Sequence, residues 1–155
     1  MTFFFYKTAA AVLLVLLTLS FQCAGVAALI EWLRSTITRD VNKFGPIYSA
    51  GQVIKSTIGI IVLHGLAILL WASFYRRCCF RTWELAFYFS ASSYATVGYG
   101  DVILPSQWRL LGPLESMTGL LMCGISVSVL FALVTRLFDR DARSNQMKRT
   151  LTTSH

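Results

Sequence analysis

The stretch SSYATVGYGD at residues 92–101 places two glycines around a tyrosine and sets an acid directly after them. Gly98 and Gly100 would weaken a helix or a strand at this point, because glycine loses more conformational freedom on folding than any other residue. Glycine in such a position is typical of a backbone that adopts a conformation other residues avoid. The long apolar sequence on both sides must therefore explain why an unusual loop is needed here.

The composition is that of a membrane protein. The chain has 155 residues, of which 55% are hydrophobic and only 14% are charged, whereas a soluble domain has about 25% charged residues. The charges lie between long uncharged runs. The formal net charge is +7, and because the basic residues flank apolar segments, they indicate orientation in a membrane rather than binding to nucleic acid.

Three apolar segments are long enough to cross a bilayer, which takes about 20 helical residues. They are predicted at Thr8–Ile30, Ser56–Tyr75 and Ser116–Thr135. A fourth apolar segment, at 82–95, is too short to span and begins with Thr82, a residue type that caps helices. We predict a re-entrant helix there, since such backbone lies at membrane depth only where it is buried in protein or lines a watery cavity.

The distribution of basic residues predicts the orientation. The first connection and the C-terminal segment from Arg136 onward hold nine lysines and arginines, and the remaining segments hold five. By the positive-inside rule the connection and the tail are cytoplasmic and the N-terminus lies outside. Cleavage of the first segment as a signal peptide is the alternative, although its apolar run is longer than the usual signal-peptide core.

The order of span, short helix, TVGYGD and span resembles the pore module of the potassium-channel family. The resemblance covers about residues 56–136, and Thr96–Asp101 matches the filter sequence of that family without a substitution. It implies an all-α membrane protein with three transmembrane helices, a re-entrant pore helix and a filter loop. It also implies a homotetramer in the lipid bilayer of a bacterial plasma membrane, because one filter strand cannot surround an ion.

The predicted organisation has four parts. Residues 1–33 form an extra N-terminal transmembrane helix, 34–55 a cytoplasmic basic connection, 56–138 the pore module and 139–155 a short cytoplasmic tail. Within the pore module, the pore helix is predicted at 82–95, the filter at 96–101 and the inner span at 116–138.

The resemblance implies that backbone carbonyls bind K+ as the permeant ion, with no further cofactor. An ordinary strand points successive carbonyls to opposite sides. Left-handed conformations at Gly98 and Gly100 would turn them the same way, and glycine adopts such conformations at no steric cost. The implied filter residues are Thr96, Val97, Gly98, Tyr99 and Gly100; the carbonyls of the first four would be the ligands, with the Thr96 hydroxyl as one more oxygen.

Four residues are expected to support the filter. Tyr88 and Phe89 on the short helix would pack near Tyr99 as an aromatic cuff. Ser92 occupies the position at which some bacterial relatives have a glutamate that braces the filter. Asp101 is therefore expected to bond to a backbone amide, a tyrosine or water instead.

Three further residues carry functional hypotheses. His64 is a candidate pH sensor, because it is ionisable within a span and histidine titrates near neutral pH; the alternative is a neutral histidine bonded to a neighbouring helix. Gly124 and Gly119 are candidate gating hinges by the resemblance, and the alternative is close helix packing. Glu115 is expected at the outer mouth, paired with Arg109.

The resulting hypothesis is a potassium-selective channel subunit. An enzyme is not expected, because the only histidines are His64 and His155 and no nucleophile–base set is present. Two alternatives stay open. One is a weakly selective cation channel, and the other is a non-conducting partner subunit of a membrane complex.

Overall fold

The computed structural model describes residues 2–39 and 46–153. Within these ranges the chain is helical and contains no strand, which confirms the predicted all-α class. Four α-helices and one short 3-10 turn follow one another along the chain. They are α1 (Thr2–Arg39), α2 (Pro46–Cys78), α3 (Trp83–Tyr94), the turn Ser106–Trp108 and α4 (Leu111–Thr153).

Three segments are long and apolar enough to cross a membrane. They are Ala9–Trp32, Ile47–Cys78 and Ser106–Arg140. Each contains most of one predicted span. The chain is therefore a multi-pass membrane protein, as its composition predicts.

The long helices extend beyond the predicted spans. Helix α2 begins at Pro46, inside the connection predicted at 34–55, and proline is well suited to a first helical turn. Residues 40–45 of that connection lie outside the described residues. Helix α4 continues to Thr153, through most of the predicted tail. The difference arises because a bilayer span is counted in uncharged residues, whereas helical hydrogen bonding propagates into polar flanks.

Helix α3 has the start that its sequence predicts. Thr82 is extended, with φ −120° and ψ 150°, and its side chain accepts a hydrogen bond from the amide of Leu85. Glu84 lies in the first turn, where a negative charge is favourable to the helix dipole. The helix ends at Tyr94 with Ala95 as the capping residue, so the loop at 96–101 follows it directly.

The chain divides into two compact units. The first comprises Met1–Gly25 and Val62–Gly124, and the second comprises Val26–Ile61 and Ile125–His155. In the second unit, Leu133 and Leu137 of α4 form a small buried cluster with Leu29 and Val53.

The core of the first unit is aromatic and holds α3 in place. Its buried members are Ala11, Leu14, Trp71, Tyr75, Ala86, Leu104, Trp108 and Leu111. Phe89 of α3 lies edge-on to Tyr75 of α2 at 5.1 Å between ring centroids. Phe74 lies edge-on to Trp108 at 5.4 Å, which ties the segment after the loop to α2. Edge-to-face aromatic pairs add stabilisation beyond the area they bury.

No disulfide joins the four cysteines of the chain. Cys23, Cys78, Cys79 and Cys123 are all unpaired. Burial raises the pKa of the Cys79 thiol to about 12, so this thiol stays protonated and unreactive at neutral pH.

Candidate functional site

The backbone after α3 alternates between left-handed and ordinary conformations. The φ angle is +58° at Thr96, +57° at Gly98 and +80° at Gly100, whereas Val97 and Tyr99 between them lie outside the left-handed region. The two glycines have the conformation that the sequence predicts. The left-handed Thr96 was not predicted, since a β-branched residue rarely adopts it. Strained residues of this kind persist only when their surroundings hold them, and they concentrate at functional sites.

The first amides of the loop bind back to the end of α3. The amides of Val97 and Gly98 both donate to the carbonyl of Ser92, at 2.9 and 3.3 Å. In a trans peptide the carbonyl points opposite to the N–H of the following residue. The carbonyls of Thr96 and Val97 therefore both point away from that end of α3, so two successive loop carbonyls share a direction.

Helix α4 fixes the position of this end of α3. The carbonyl of Ser93 accepts a hydrogen bond from the Thr96 amide at 2.9 Å and another from the Ser116 hydroxyl of α4 at 2.7 Å. The backbone of Tyr94 also lies directly on Gly119, where a Cβ atom would collide with the Tyr94 carbonyl oxygen. The start of the loop is therefore positioned by α4 as well as by α3.

Asp101 at the far end of the loop is bonded to a tyrosine and to a backbone amide. The Tyr88 hydroxyl donates to Asp101 Oδ2 at 2.8 Å, and the Val102 amide donates to Oδ1 at 3.0 Å. The hydrogen bond to Asp101 raises the pKa of the Tyr88 phenol. The Tyr88 ring also stacks on that of Tyr99, with centroids 6.5 Å apart and planes at 12°. Tyr88 therefore holds the loop at two points.

Phe89 lies on a different face of α3 from Tyr88. Its ring contacts are with Tyr75 at 5.1 Å and Phe80 at 5.6 Å, in the aromatic core. Adjacent positions on a helix do not share a face. Of the two rings expected to surround Tyr99, Tyr88 stacks on it and Phe89 packs on α2.

Ser92 borders a small cavity behind the loop. The cavity has a volume of about 150 Å³, and its lining includes Tyr88, Ser92, Tyr99 and Asp101. Ser92, which the sequence analysis compares with a glutamate of some bacterial channels, thus faces the space between α3 and the loop. In this chain Ser92 contributes its carbonyl to the loop amides, and Tyr88 contributes the side-chain bond to Asp101.

His64 of α2 joins α1 to the end of α3. Its Nδ1 atom is 2.9 Å from the Tyr94 hydroxyl and 3.4 Å from Gln22 Nε2 of α1. Its ring lies edge-on to that of Tyr94, with centroids 5.8 Å apart. Gln22 is buried at 1% exposure. The sequence offered one signal for Gln22, a polar side chain within an apolar run, and the prediction did not use it.

Glu115 is not at the outer mouth, and its expected pairing with Arg109 is wrong. The side chain is fully buried. Its carboxyl group contacts the Tyr75 hydroxyl of α2 at 2.9 Å and the Ser90 hydroxyl of α3 at 2.5 Å. Because α4 begins at Leu111, Glu115 lies one turn inside the helix rather than at its exposed end. An ionisable residue within an apolar segment is a functional candidate, and that rule would have singled it out.

The two glycines proposed as hinges differ in their surroundings. Helix α4 is continuous through both of them. Gly119 packs on the Tyr94 backbone, whereas a Cβ atom at Gly124 would have no neighbour within 4 Å in the chain. Gly119 is therefore a packing position, and only Gly124 has room around it.

Residues 63–136 match a protein-family model described as an ion channel. The match begins in α2 and ends in α4, so it includes α3, the loop and Glu115. It extends over just under half of the chain and leaves out α1. No curated protein and no solved structure matches the chain. The match supports a channel role for this membrane protein rather than an enzymatic one.

Proposed function

We propose that the chain is one subunit of a potassium-selective channel in which four copies arrange their 96–100 loops around a common axis. The observation that carries this proposal is the alternating backbone of Thr96, Gly98 and Gly100, with φ of +58°, +57° and +80°. Together with the amides bound to Ser92, it turns the successive carbonyls of Thr96 and Val97 to one side of the loop. A row of carbonyls on one side is what a cation needs when it loses its water.

The proposed ligands are the carbonyl oxygens of Thr96, Val97, Gly98 and Tyr99, with the Thr96 hydroxyl at the inner end. A K+ ion would exchange its hydration shell for these oxygens at similar distances. A single loop cannot enclose an ion, and in the single chain Val97 and Tyr99 are 51% and 73% exposed. Three further copies of the loop would complete the ligand set and cover these side chains.

The apolar surface of α4 supports assembly in a bilayer. Large hydrophobic side chains along it are exposed, among them Met117, Leu120, Leu121, Val127 and Phe131. Such an area is unusual on a soluble monomer. Lipid and neighbouring copies would cover it, with the N-terminus outside the bacterial inner membrane and the C-terminus in the cytoplasm.

In the same proposal Gly124 is the gating hinge, and His64 is a pH sensor through its contact with Tyr94.

The test is ion flux from liposomes that contain the purified protein, measured with potassium and then with sodium gradients. The proposal expects flux with potassium and little with sodium. Comparable flux of both ions would instead indicate a weakly selective cation channel. No flux from a preparation shown to be tetrameric would indicate a non-conducting partner subunit.

Replacing Tyr88 by phenylalanine is expected to shorten the period of sustained flux without changing the preference for potassium. The substitution keeps the ring that stacks on Tyr99 but removes the hydroxyl that donates to Asp101 at 2.8 Å. The loop then loses a bond at its outer end, while the carbonyl positions near α3 are untouched. Flux time courses after a potassium step would measure the effect.

Asp101→Asn is the matched control for Tyr88→Phe, because the asparagine oxygen can still accept from Tyr88. It should preserve the time course better than Tyr88→Phe does. A Tyr88→Phe time course equal to that of the unmodified protein would show that this hydrogen bond does not hold the loop.

A further inference from the structure

A closed hydrogen-bonded cluster joins three helices behind the loop. Glu115 of α4, Tyr75 of α2 and Ser90 of α3 are each fully buried. Tyr75 donates to Glu115 Oε2 at 2.9 Å. The Ser90 oxygen lies 2.5 Å from Glu115 Oε1 and 2.9 Å from the backbone carbonyl of Ile68 in α2. These three contacts link α3 to α2 and α4.

The three oxygen–oxygen contacts need three protons, whereas the two hydroxyl groups carry only two. A hydroxyl group has a single proton to donate. Tyr75 uses its proton on Glu115, so the Ser90 proton is left for two acceptors, the Ile68 carbonyl and Glu115 Oε1. If Glu115 were ionised, one of these two contacts would set oxygen against oxygen with no proton between them. A proton on Oε1 makes all three contacts hydrogen bonds, in the order Glu115 to Ser90 to the Ile68 carbonyl.

The surroundings of the carboxyl group favour the same state. Burying an unpaired carboxylate costs so much free energy that the group normally becomes neutral instead. The hydroxyls of Tyr75 and Ser90 are the hydrogen-bond partners of this carboxyl group among the described residues, and no cation acts on it there. The other titratable groups around it are the phenols of Tyr75 and Tyr94 and, next to Tyr75, the thiol of Cys79. Phenols and thiols are ordinarily neutral at pH 7, so none of them supplies a compensating charge.

We infer that Glu115 is a neutral carboxylic acid that positions the pore helix by donating its proton to Ser90. The statement that it positions the pore rests on the proposed function, whereas the protonation state does not. Ser90 lies on the helix whose end binds the loop amides through Ser92. When Glu115 loses its proton, Ser90 must turn its own proton to the carboxylate and release Ile68. The hydrogen bond from Ser90 of α3 to the Ile68 carbonyl of α2 is then lost, and a negative charge is left in the core.

The protonation state has a direct spectroscopic test that does not depend on ion flux. Infrared spectra of the purified protein in liposomes at pH 7 should contain the C=O band of a protonated carboxylic acid. The band should be missing in Glu115→Gln and should persist in Glu84→Gln, the matched control, because Glu84 is exposed in the first turn of α3. A Glu115→Gln spectrum that loses only carboxylate bands would overturn the inference.

The positioning role is tested by the pH dependence of flux. Glutamine keeps the geometry, because its N–H can donate to Ser90 and its oxygen can accept from Tyr75. Flux through the unmodified protein should fall at alkaline pH as the infrared band disappears, and Glu115→Gln should keep its flux at pH 7 and lose this decline. Glu115→Ala leaves the buried Tyr75 hydroxyl without an acceptor, removes the donor to Ser90, and should lower flux about tenfold. A decline with pH that is the same in Glu115→Gln would contradict the positioning role.

The inference and the proposed function can fail independently of each other. If Glu115→Gln does not fold, the carboxylic acid band of the unmodified protein can still be followed as the pH is raised. If the band is present and assigned to Glu115 but no flux is found, the proposed function fails while the protonation state stands. If no such band is present at pH 7, the inference fails whatever the flux is.

Discussion

Replacing Gly98 by alanine is expected to abolish potassium-selective flux while the protein still assembles. The residue has φ +57°, and a left-handed conformation costs an L-residue about 1–2 kcal/mol. A Cβ atom at this position would have no neighbour within 4 Å in the chain, so the substitution changes the backbone preference and causes no collision within the subunit. In the proposed tetramer the cost arises four times around a single ion path.

Gly51→Ala in α2 is the matched control for Gly98→Ala. A Cβ atom there also meets nothing within 4 Å, but the residue is helical, and alanine is preferred to glycine in a helix by about 1 kcal/mol. Potassium and sodium flux from liposomes would be compared for both variants beside the unmodified protein. Potassium-selective flux that survives in Gly98→Ala would show that the left-handed backbone is not required, and the carbonyl filter would have to be abandoned.

Replacing Gly119 by alanine is expected to lower the thermal stability and to reduce flux strongly. The added Cβ would collide with the backbone carbonyl of Tyr94, the last residue of α3. Backbone cannot turn aside as a flexible side chain can, so the end of α3 has to move away from α4. Overpacking of this kind typically costs about 1–3 kcal/mol. The same movement would strain the hydrogen bond from Ser116 to the Ser93 carbonyl and displace the start of the loop.

Gly124→Ala on the same helix is the control for the stability measurement. A Cβ atom at Gly124 meets nothing within 4 Å in the chain. Because alanine is also a better helix former than glycine, the unfolding temperature should be unchanged or slightly higher. Unfolding temperatures would be measured in the same detergent for both variants. Equal unfolding temperatures and normal flux for Gly119→Ala would mean that α3 and α4 are not held together at this point.

The features of the fold that local chemistry decides could be predicted from the sequence. The length of an uncharged run fixes whether a helix can cross a bilayer, so the presence and order of the three spans were predictable. Thr82 before an apolar segment marked the start of α3, because a threonine side chain satisfies a free amide at a helix N-terminus. The left-handed backbone at Gly98 and Gly100 followed from glycine itself.

The ends of the long helices were less predictable. Pro46 and the residues after it continue α2 beyond the apolar run, and α4 continues through a polar segment to Thr153. The length of an uncharged run shows how much of a helix can lie within the bilayer. The end of the helix depends instead on where the backbone finds other hydrogen-bond partners.

The tertiary structure alone decided which side chains meet. Glu115 precedes a long apolar run, and its sequence context fits an exposed first turn as well as the buried cluster with Tyr75 and Ser90. The left-handed conformation of Thr96 depends on the bonds that its own and the following amides make to the end of α3. The length of an uncharged run and the backbone freedom of a glycine are properties of neighbouring residues, so the sequence by itself determined them. Glu115 meets Tyr75 and Ser90, and Ser116 holds the Ser93 carbonyl that accepts the Thr96 amide. These contacts join segments far apart in the chain, and only the packing of the helices fixes them.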